Sequence, residues 1–140
     1  MAIIEANIDD MNPEFYGLLF DKFFTAGAVD VFLSPIIMKK GRPANKLTVL
    51  SPPKEVDSIV EIFFKETTSI GLRINWVEKR FLPREIVEVE TPWGDVKAKA
   101  CYLDGKMVNL APEFEDCKSL SQKTGVPIKR IYQSILKKQD

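Results

Sequence analysis

The sequence predicts an α+β chain, and three observations carry that prediction. Apolar residues recur at helical spacing in four stretches and at strand spacing between them. Glycine and proline mark most of the changes of period. The 140 residues are 45% apolar and 29% charged, ordinary values for a soluble globular protein of one domain or two small ones.

The first strand is expected over Ala2–Ile8. A helix follows near residues 13–26. Asn12 suits the N-cap, and Pro13 falls at the first helical position, where its missing N–H costs nothing. Met11 and Tyr16 are spaced as a hydrophobic staple. Phe15, Leu18, Leu19, Phe23 and Ala26 form the apolar stripe, and Gly27 supplies a left-handed C-cap. Val29, Val31 and Leu33 then alternate with Asp30, Phe32 and Ser34. Pro35 interrupts that strand and argues for an edge position or a bulge. The run resumes at Ile36 and ends in Lys39-Lys40-Gly41-Arg42-Pro43. Residues 47–50 lack alternation, as a central strand should.

Ser51 is expected to cap a second helix whose apolar face is Val56, Ile59, Val60, Phe63 and Phe64. Thr67, Thr68, Ser69 and Gly71 end it. Leu72, Ile74 and Trp76 alternate along a fourth strand, with Trp76 read as core. The order βαββαβ is ferredoxin-like. Its usual 4-1-3-2 sheet puts the second strand at an edge, where Pro35 belongs.

Composition shifts near Phe81-Leu82-Pro83, dividing the chain into residues 1–82 and a small α+β subdomain over 83–140. In the second part a β-hairpin pairs Val87 and Val89 with Val96, Ala98 and Ala100, turning at Pro92-Trp93-Gly94. Glu88 and Glu90 should face lysines of the neighbouring strand. Asp104-Gly105 signals a tight turn into a further short strand. Two helices close the chain, over about residues 113–124 and 127–138. Gly125 stops the first. The second carries Ile128, Ile131, Tyr132 and Ile135 on one face.

Twenty basic and twenty acidic residues cancel, so no global field favours nucleic acid or an anionic membrane. No signal peptide or membrane span is legible. Two cysteines make neither a disulfide framework nor a metal knuckle, and the expected location is the cytoplasm. Histidine is absent, which removes the commonest general base and the commonest transition-metal ligand. There is no phosphate-binding glycine loop of a known type and no helix-turn-helix signal.

Candidate chemistry gathers at a few places. Asp9, Asp10 and Glu14, with Asn7 and Asn12, crowd the turn from the first strand into the first helix. They complement the helix dipole, or they offer oxygen ligands to a hard divalent metal. Lys39, Lys40 and Arg42 around Gly41 are either a charged hairpin tip or a phosphate site. Thr67, Thr68 and Ser69 read first as a helix end and otherwise as hydroxyl donors to a ligand. Glu113, Glu115 and Asp116 suit the first turn of a helix, and the alternative is a second carboxylate cluster for a cation. Cys117, at helical spacing from Phe114 and Leu120, reads as a buried apolar residue.

Four stretches together carry a resemblance. These are Asn7-Ile8-Asp9-Asp10-Met11-Asn12-Pro13-Glu14; Gly27-Ala28-Val29-Asp30-Val31-Phe32-Leu33 through Met38-Lys39-Lys40-Gly41-Arg42-Pro43; Thr67-Thr68-Ser69-Ile70-Gly71-Leu72-Arg73; and Pro112-Glu113-Phe114-Glu115-Asp116-Cys117. In that order they resemble the C-terminal region of the nickel-insertion protein family, LarC. The resemblance implies a CTP-dependent nickel chelatase (a cyclometallase of the lyase class) that inserts nickel into pyridinium-3,5-bisthiocarboxylic acid mononucleotide. The product would be the nickel-pincer cofactor of lactate racemase and its relatives. CTP would activate the phosphorylated pyridinium substrate through a cytidylylated intermediate, with Mg or Mn assisting.

The resemblance further implies that Lys39, Lys40, Arg42, Thr68 and Arg73 meet the nucleotide. Asp9, Asp10 and Glu14, or Glu113, Glu115 and Asp116, would hold the divalent cation. Family members carry a longer N-terminal region with a histidine-rich stretch. This chain is therefore expected to act with an N-terminal half, as a nucleotide-binding module that inserts little or no nickel alone. A homo-oligomer is also expected, because an edge strand and a small second part favour self-association. The competing expectation is a ligand-sensing or oligomerising regulatory ferredoxin-like domain without catalysis.

Overall fold

The computed structural model describes residues 1–138 and divides into two compact units, Met1–Lys79 and a second beginning at Arg80. The first unit contains β1 (Ala2–Ile8), α1 (Phe15–Thr25), β2 (Asp30–Met38), β3 (Arg42–Ser51), α2 (Val56–Glu66) and β4 (Arg73–Trp76). Its sheet has the order β2-β3-β1-β4 with every neighbouring pair antiparallel, the ferredoxin-like arrangement expected from the element order.

Strand β1 shows why the helices pack where they do. Ala2, Ile4, Ala6 and Ile8 are buried, while the residues between them are only half-buried, as a pleat with one covered face requires. Leu19 and Phe23 of α1 and Ile59 and Phe63 of α2 join that covered face, together with Leu47 and Val49 of β3. The Phe23 and Phe63 rings meet at 4.9 Å between centroids, tilted by 49°. Such tilted ring pairs add to the burial of their area.

The entry and exit of α1 follow the sequence signals. Asn12 Oδ1 accepts the Glu14 N–H at 3.1 Å, and the Phe15 and Tyr16 N–H groups reach back three residues to Asn12 and Pro13. That first turn is tight, so the α-helix proper starts at Phe15 rather than near residue 13. At the far end Gly27 has φ +91°, its N–H donates to Phe24 O, and the Ala28 N–H donates to Phe23 O. This is a Schellman closure.

Several expectations are corrected. The stripe of α1 is narrower than its spacing suggested: Tyr16, Leu19 and Phe23 are buried, whereas Phe15 and Leu18 are more than half exposed. Likewise Phe64 of α2 faces outward, and the half-buried Ile62 packs on the core instead. Ser51 does not cap α2. It is the buried last residue of β3, its hydroxyl donates to Pro52 O, and the helix is entered through a 3-10 turn at Pro53–Glu55. Strand β3 begins at Arg42 rather than at residue 47, because it pairs with β2 along its full length as far as Met38↔Arg42. Strand β2 runs unbroken through Pro35, which opposes Asn45; having no neighbour on its other side, it loses no second ladder. Trp76 lies opposite Ala2 on edge strand β4 and is 63% exposed, so it is not core.

The second unit contains β5 (Arg84–Thr91), β6 (Gly94–Leu103), β7 (Lys106–Pro112), α3 (Phe114–Thr124) and α4 (Ile128–Leu136). The expected hairpin is extended by β7 into a meander of order β5-β6-β7. Val89↔Val96 and Ala100↔Leu110 pair on the covered face, beneath the buried Cys117, Ile131 and Ile135. Glu88 opposes Lys97 as expected, but Glu90 opposes Asp95. Asp104 and Gly105 both take positive φ, as a two-residue hairpin turn needs, and left-handed Gly125 ends α3. Phe114 is exposed, so Cys117 does not share a buried stripe with it. Among the described residues no helix is long and apolar enough to cross a membrane.

The contrast between two adjacent phenylalanines is testable. Phe63→Ala should destabilise the first unit by about 3–5 kcal/mol, since it empties a closed core site. Phe64→Ala should cost less than about 1 kcal/mol. Urea titration of both variants checks this.

Candidate functional site

Antiparallel pairing brings three connections to one end of the first sheet. Strands β1 and β2 finish there, and β3 and β4 begin there. The β1–α1 turn, the turn at Lys39–Gly41 and the α2–β4 loop therefore share that end. Side chains tie them together. Arg42 Nη1 donates to Asp9 Oδ2 at 3.1 Å. The Thr68 hydroxyl donates to Asp10 Oδ1. Arg73 Nη2 donates to Asn7 Oδ1 at 2.8 Å. Asp9, Asp10, Arg42, Thr68 and Arg73 thus come together from positions far apart in the chain.

Lys39 and Lys40 occupy the turn itself. Lys40 and Gly41 both adopt left-handed backbone, φ +65° and +69°, which reverses the chain within three residues. Both lysines are exposed, and among the described residues neither makes an ion pair or a side-chain hydrogen bond. Glu14 is exposed in the first turn leading to α1, with its Oε2 3.4 Å from Asn12 Nδ2. It does not gather with Asp9 and Asp10: among the described residues no three acidic or cysteine side chains form a group able to hold a metal ion.

Beside this end, a charged network lies on the sheet face away from the helices, and the sequence reading missed it. Glu5 Oε1 accepts from Lys46 Nζ at 2.9 Å and from the Thr48 hydroxyl at 3.2 Å, and its Oε2 lies 3.9 Å from Arg73 Nε. The Lys46 hydrogen bond, opposed by burial and reinforced by the charges of Lys46 and Arg73 and by Thr48, holds the Glu5 carboxyl below the usual glutamate value. The signal was available. Glu5 is the one charge in the run Ala2–Ile8, and a charge in a central strand needs partners on the strands beside it.

A cleft of about 540 Å³ opens between the β1–α1 turn, with Asp9, Met11 and Tyr16, and the arms of β2 and β3, with Pro35, Pro43 and Asn45. Burial pushes the Tyr16 hydroxyl up from its ordinary pKa, and the Asn45 side chain beside it opposes that shift.

In the second unit, Glu113 Oε1 lies 3.3 Å from Lys99 Nζ, and Glu115 pairs with Lys118 at 3.2 Å. Asp116 Oδ2 accepts the Lys97 backbone N–H at 3.1 Å, while the Glu113 N–H donates to Lys97 O. Strand β7 ends opposite Ala98, so these two residues supply the partners that the ladder no longer gives to Lys97.

Comparison with known proteins adds the following. Residues 1–132 match the family model described as "Nickel insertion protein". The pyridinium-3,5-bisthiocarboxylic acid mononucleotide nickel insertion protein of Thermotoga petrophila is 46% identical over 136 residues, 97% of this chain and 34% of that protein. The protein of the same description from Desulfitobacterium hafniense is 47% identical over 135 residues, 96% of this chain and 34% of that one. The chain thus spans about a third of the length of these relatives. Among solved structures, it is similar to LarC2, the C-terminal domain of a cyclometallase involved in the synthesis of the NPN cofactor of lactate racemase. There the TM-score is 0.87 at 39% identity, over 96% of this chain and 93% of that one. A protein of Methanopyrus kandleri shares the fold, with TM-score 0.72 and 21% identity over 96% of this chain and 82% of its own.

The Glu5 network predicts a pH dependence. A carboxyl held low in the folded state stabilises fully above its unfolded value, 4.5, and loses that contribution as pH falls through the folded value. Unfolding of the wild type and Glu5→Gln should therefore differ most near neutrality, and the gap should close as pH falls below 4.5 and through the lower folded value. A gap independent of pH would show that the charge of Glu5 does not matter.

Proposed function

Because this chain belongs to the nickel insertion protein family, we propose that it is the C-terminal, nucleotide-binding part of a CTP-dependent cyclometallase. Its substrate would be pyridinium-3,5-bisthiocarboxylic acid mononucleotide, and nickel would be the inserted metal. The observation that carries the nucleotide assignment is the pair of exposed lysines, Lys39 and Lys40, beside the Arg42–Asp9 pair at one end of the sheet. Two cations that make no ion pair among the described residues, joined by Arg42 and Arg73, suit the charge of a triphosphate and of a pyrophosphate leaving group. The Thr68 hydroxyl donates to Asp10 and so holds that carboxylate at the same end.

Asp9 and Asp10 offer hard oxygen ligands next to those cations. Mg or Mn in nucleotide sites is usually held by one or two carboxylates together with phosphate oxygens, so a cage of three protein carboxylates is not required. When bound, the ion would neutralise phosphate charge. Asp9 would then exchange Arg42 for the ion and free the guanidinium for phosphate. We assign the cation to Asp9 and Asp10 in preference to Glu113, Glu115 and Asp116, whose carboxylates already serve Lys99, Lys118 and the Lys97 backbone. Glu14 stands close in sequence and completes the acidic character of the turn. The same reading makes the protein a cytoplasmic homo-oligomer of the lyase class that acts with an N-terminal part.

Calorimetric titration with CTP, with and without Mn and with ATP as control, tests this. Selective CTP binding that requires Mn is expected. Lys39→Ala and Arg42→Ala should each weaken it about 10- to 100-fold, the effect of one charge-assisted hydrogen bond. Asp10→Asn should remove the dependence on Mn. Unchanged CTP affinity in both cation variants would show that the turn is not the phosphate site.

A further inference from the structure

Strands β1 and β3 are antiparallel, so the helices that follow them, α1 and α2, also run in opposite directions, with a groove between them. The groove holds two hollows. Phe15 and Leu18 of α1 face Lys65 and Glu66 of α2 across one of about 280 Å³. Thr25 and Ala26 face Ile62 across the other, of about 340 Å³. Between them stands the Lys22–Glu66 ion pair, at 2.5 Å, as a polar step. Lys65 is matched by Glu61, also at 2.5 Å, so both lysines of the groove carry a counter-charge and its rim is neutral. Phe15 is 51% and Leu18 58% exposed. A single exposed apolar residue needs no account, but two neighbours bordering a hollow point to a contact surface. Leu18 and Thr25 lie seven residues apart, about 10 Å along the helix axis. Large apolar side chains at i and i+7 of a second helix would enter the two hollows, with a polar residue between them over the ion pair.

The size of the groove selects its occupant. It is as long as the 11 residues of α1, about 16 Å, and one helix wide, so it offers a contact of roughly a few hundred Å² on each side. Separate chains that form a stable dimer bury about 800 Å² per partner. Domains of one chain hold with as little as about 300 Å² a side, because the tether keeps them at high effective concentration. About two thirds of the Thermotoga petrophila relative lies outside its match to this chain, and the similar LarC2 is the C-terminal domain of its protein. The first hollow also has a telling position. Phe15 opens α1 directly after the turn with Asp9 and Asp10, and Glu66 closes α2 just before Thr68, which meets Asp10. We propose that the α1–α2 groove seats an amphipathic helix from the N-terminal part of a nickel insertion protein, and so brings that part beside the Asp9–Asp10 turn. The assignment rests on the reading above that this chain acts with an N-terminal part, and it names the surface where the two meet.

The experiment puts this chain in place of the matched 136 residues of the Thermotoga petrophila protein and compares the full-length chimera with the isolated chain. Hydrogen exchange at the amides of α1 and α2 is the readout, because a docked helix suppresses their local opening. Exchange there should be about tenfold or more slower in the chimera. Leu18→Asp and Thr25→Asp, one in each hollow, should each abolish the slowing when the same variant is compared in both contexts. Both residues are exposed, so neither substitution opens the core. Phe64→Ala, at a residue that lines neither hollow, should leave the slowing intact. Slowing confined to other elements, or slowing that survives both aspartates, puts the contact elsewhere and overturns the groove alone. An isolated chain whose α1 and α2 exchange more slowly as its concentration rises, with nothing added by the chimera, gives the groove to a second copy and overturns the proposal. Equal exchange along the whole chain in both contexts removes the partnership itself, and the groove with it.

Discussion

The period-two alternation of β1 is the constraint on which the first unit depends. A central strand with antiparallel partners on both sides has no freedom to slide, because a shift of one residue would turn Ile4 and Ala6 away from the helices and bring Glu5 beneath them. Its covered face fixes where Phe23 and Phe63 meet. Its other face carries Glu5 and Asn7, which draw Lys46, Thr48 and Arg73 into hydrogen bonds. The strand then leaves the sheet through Asp9 and Asp10, so the same register that builds the core also delivers two carboxylates to the end where the basic turn lies.

Local signals were legible wherever the physics is local. Pro35 at an edge, Gly27 closing α1, and Asp104-Gly105 turning a hairpin each follow from backbone torsions that a short stretch of sequence dictates. The order of elements then restricted the sheet to one familiar arrangement. Coverage was harder to read. Helical spacing identifies which residues share a side, but how much of that side is covered depends on the neighbour. Phe15, Leu18 and Phe64 fall outside the covered strip for that reason, and Trp76 lies on an edge strand with too little above it.

The candidate site divides along the same line. Asp9, Asp10, Lys39, Lys40, Arg42 and Thr68 were candidates in the sequence because they cluster at turns, and Arg73 became one through the family resemblance. Their convergence was not visible until antiparallel pairing placed those turns at one end. Glu5 and Lys46 were missed because strand residues 41 positions apart meet only through register. Glu113 and Asp116 show the converse. Their acidic pattern at a helix start is real, yet the Asp116 carboxylate and the Glu113 backbone N–H continue the hydrogen bonding of β6 past the end of β7, while the Glu113 carboxylate meets Lys99.

The backbone of Lys40 carries a wider implication. A left-handed torsion on a residue with a side chain costs about 1 kcal/mol, and glycine would hold the turn with less strain. Thermal stability and surface charge therefore pull in opposite directions at this one position. An engineering programme that ranked variants by melting temperature alone would drift toward Lys40→Gly and shed a cation of the basic turn without any warning from the fold. Libraries built on this scaffold need selection for ligand retention alongside heat resistance, with the tip of the β2–β3 turn held constant.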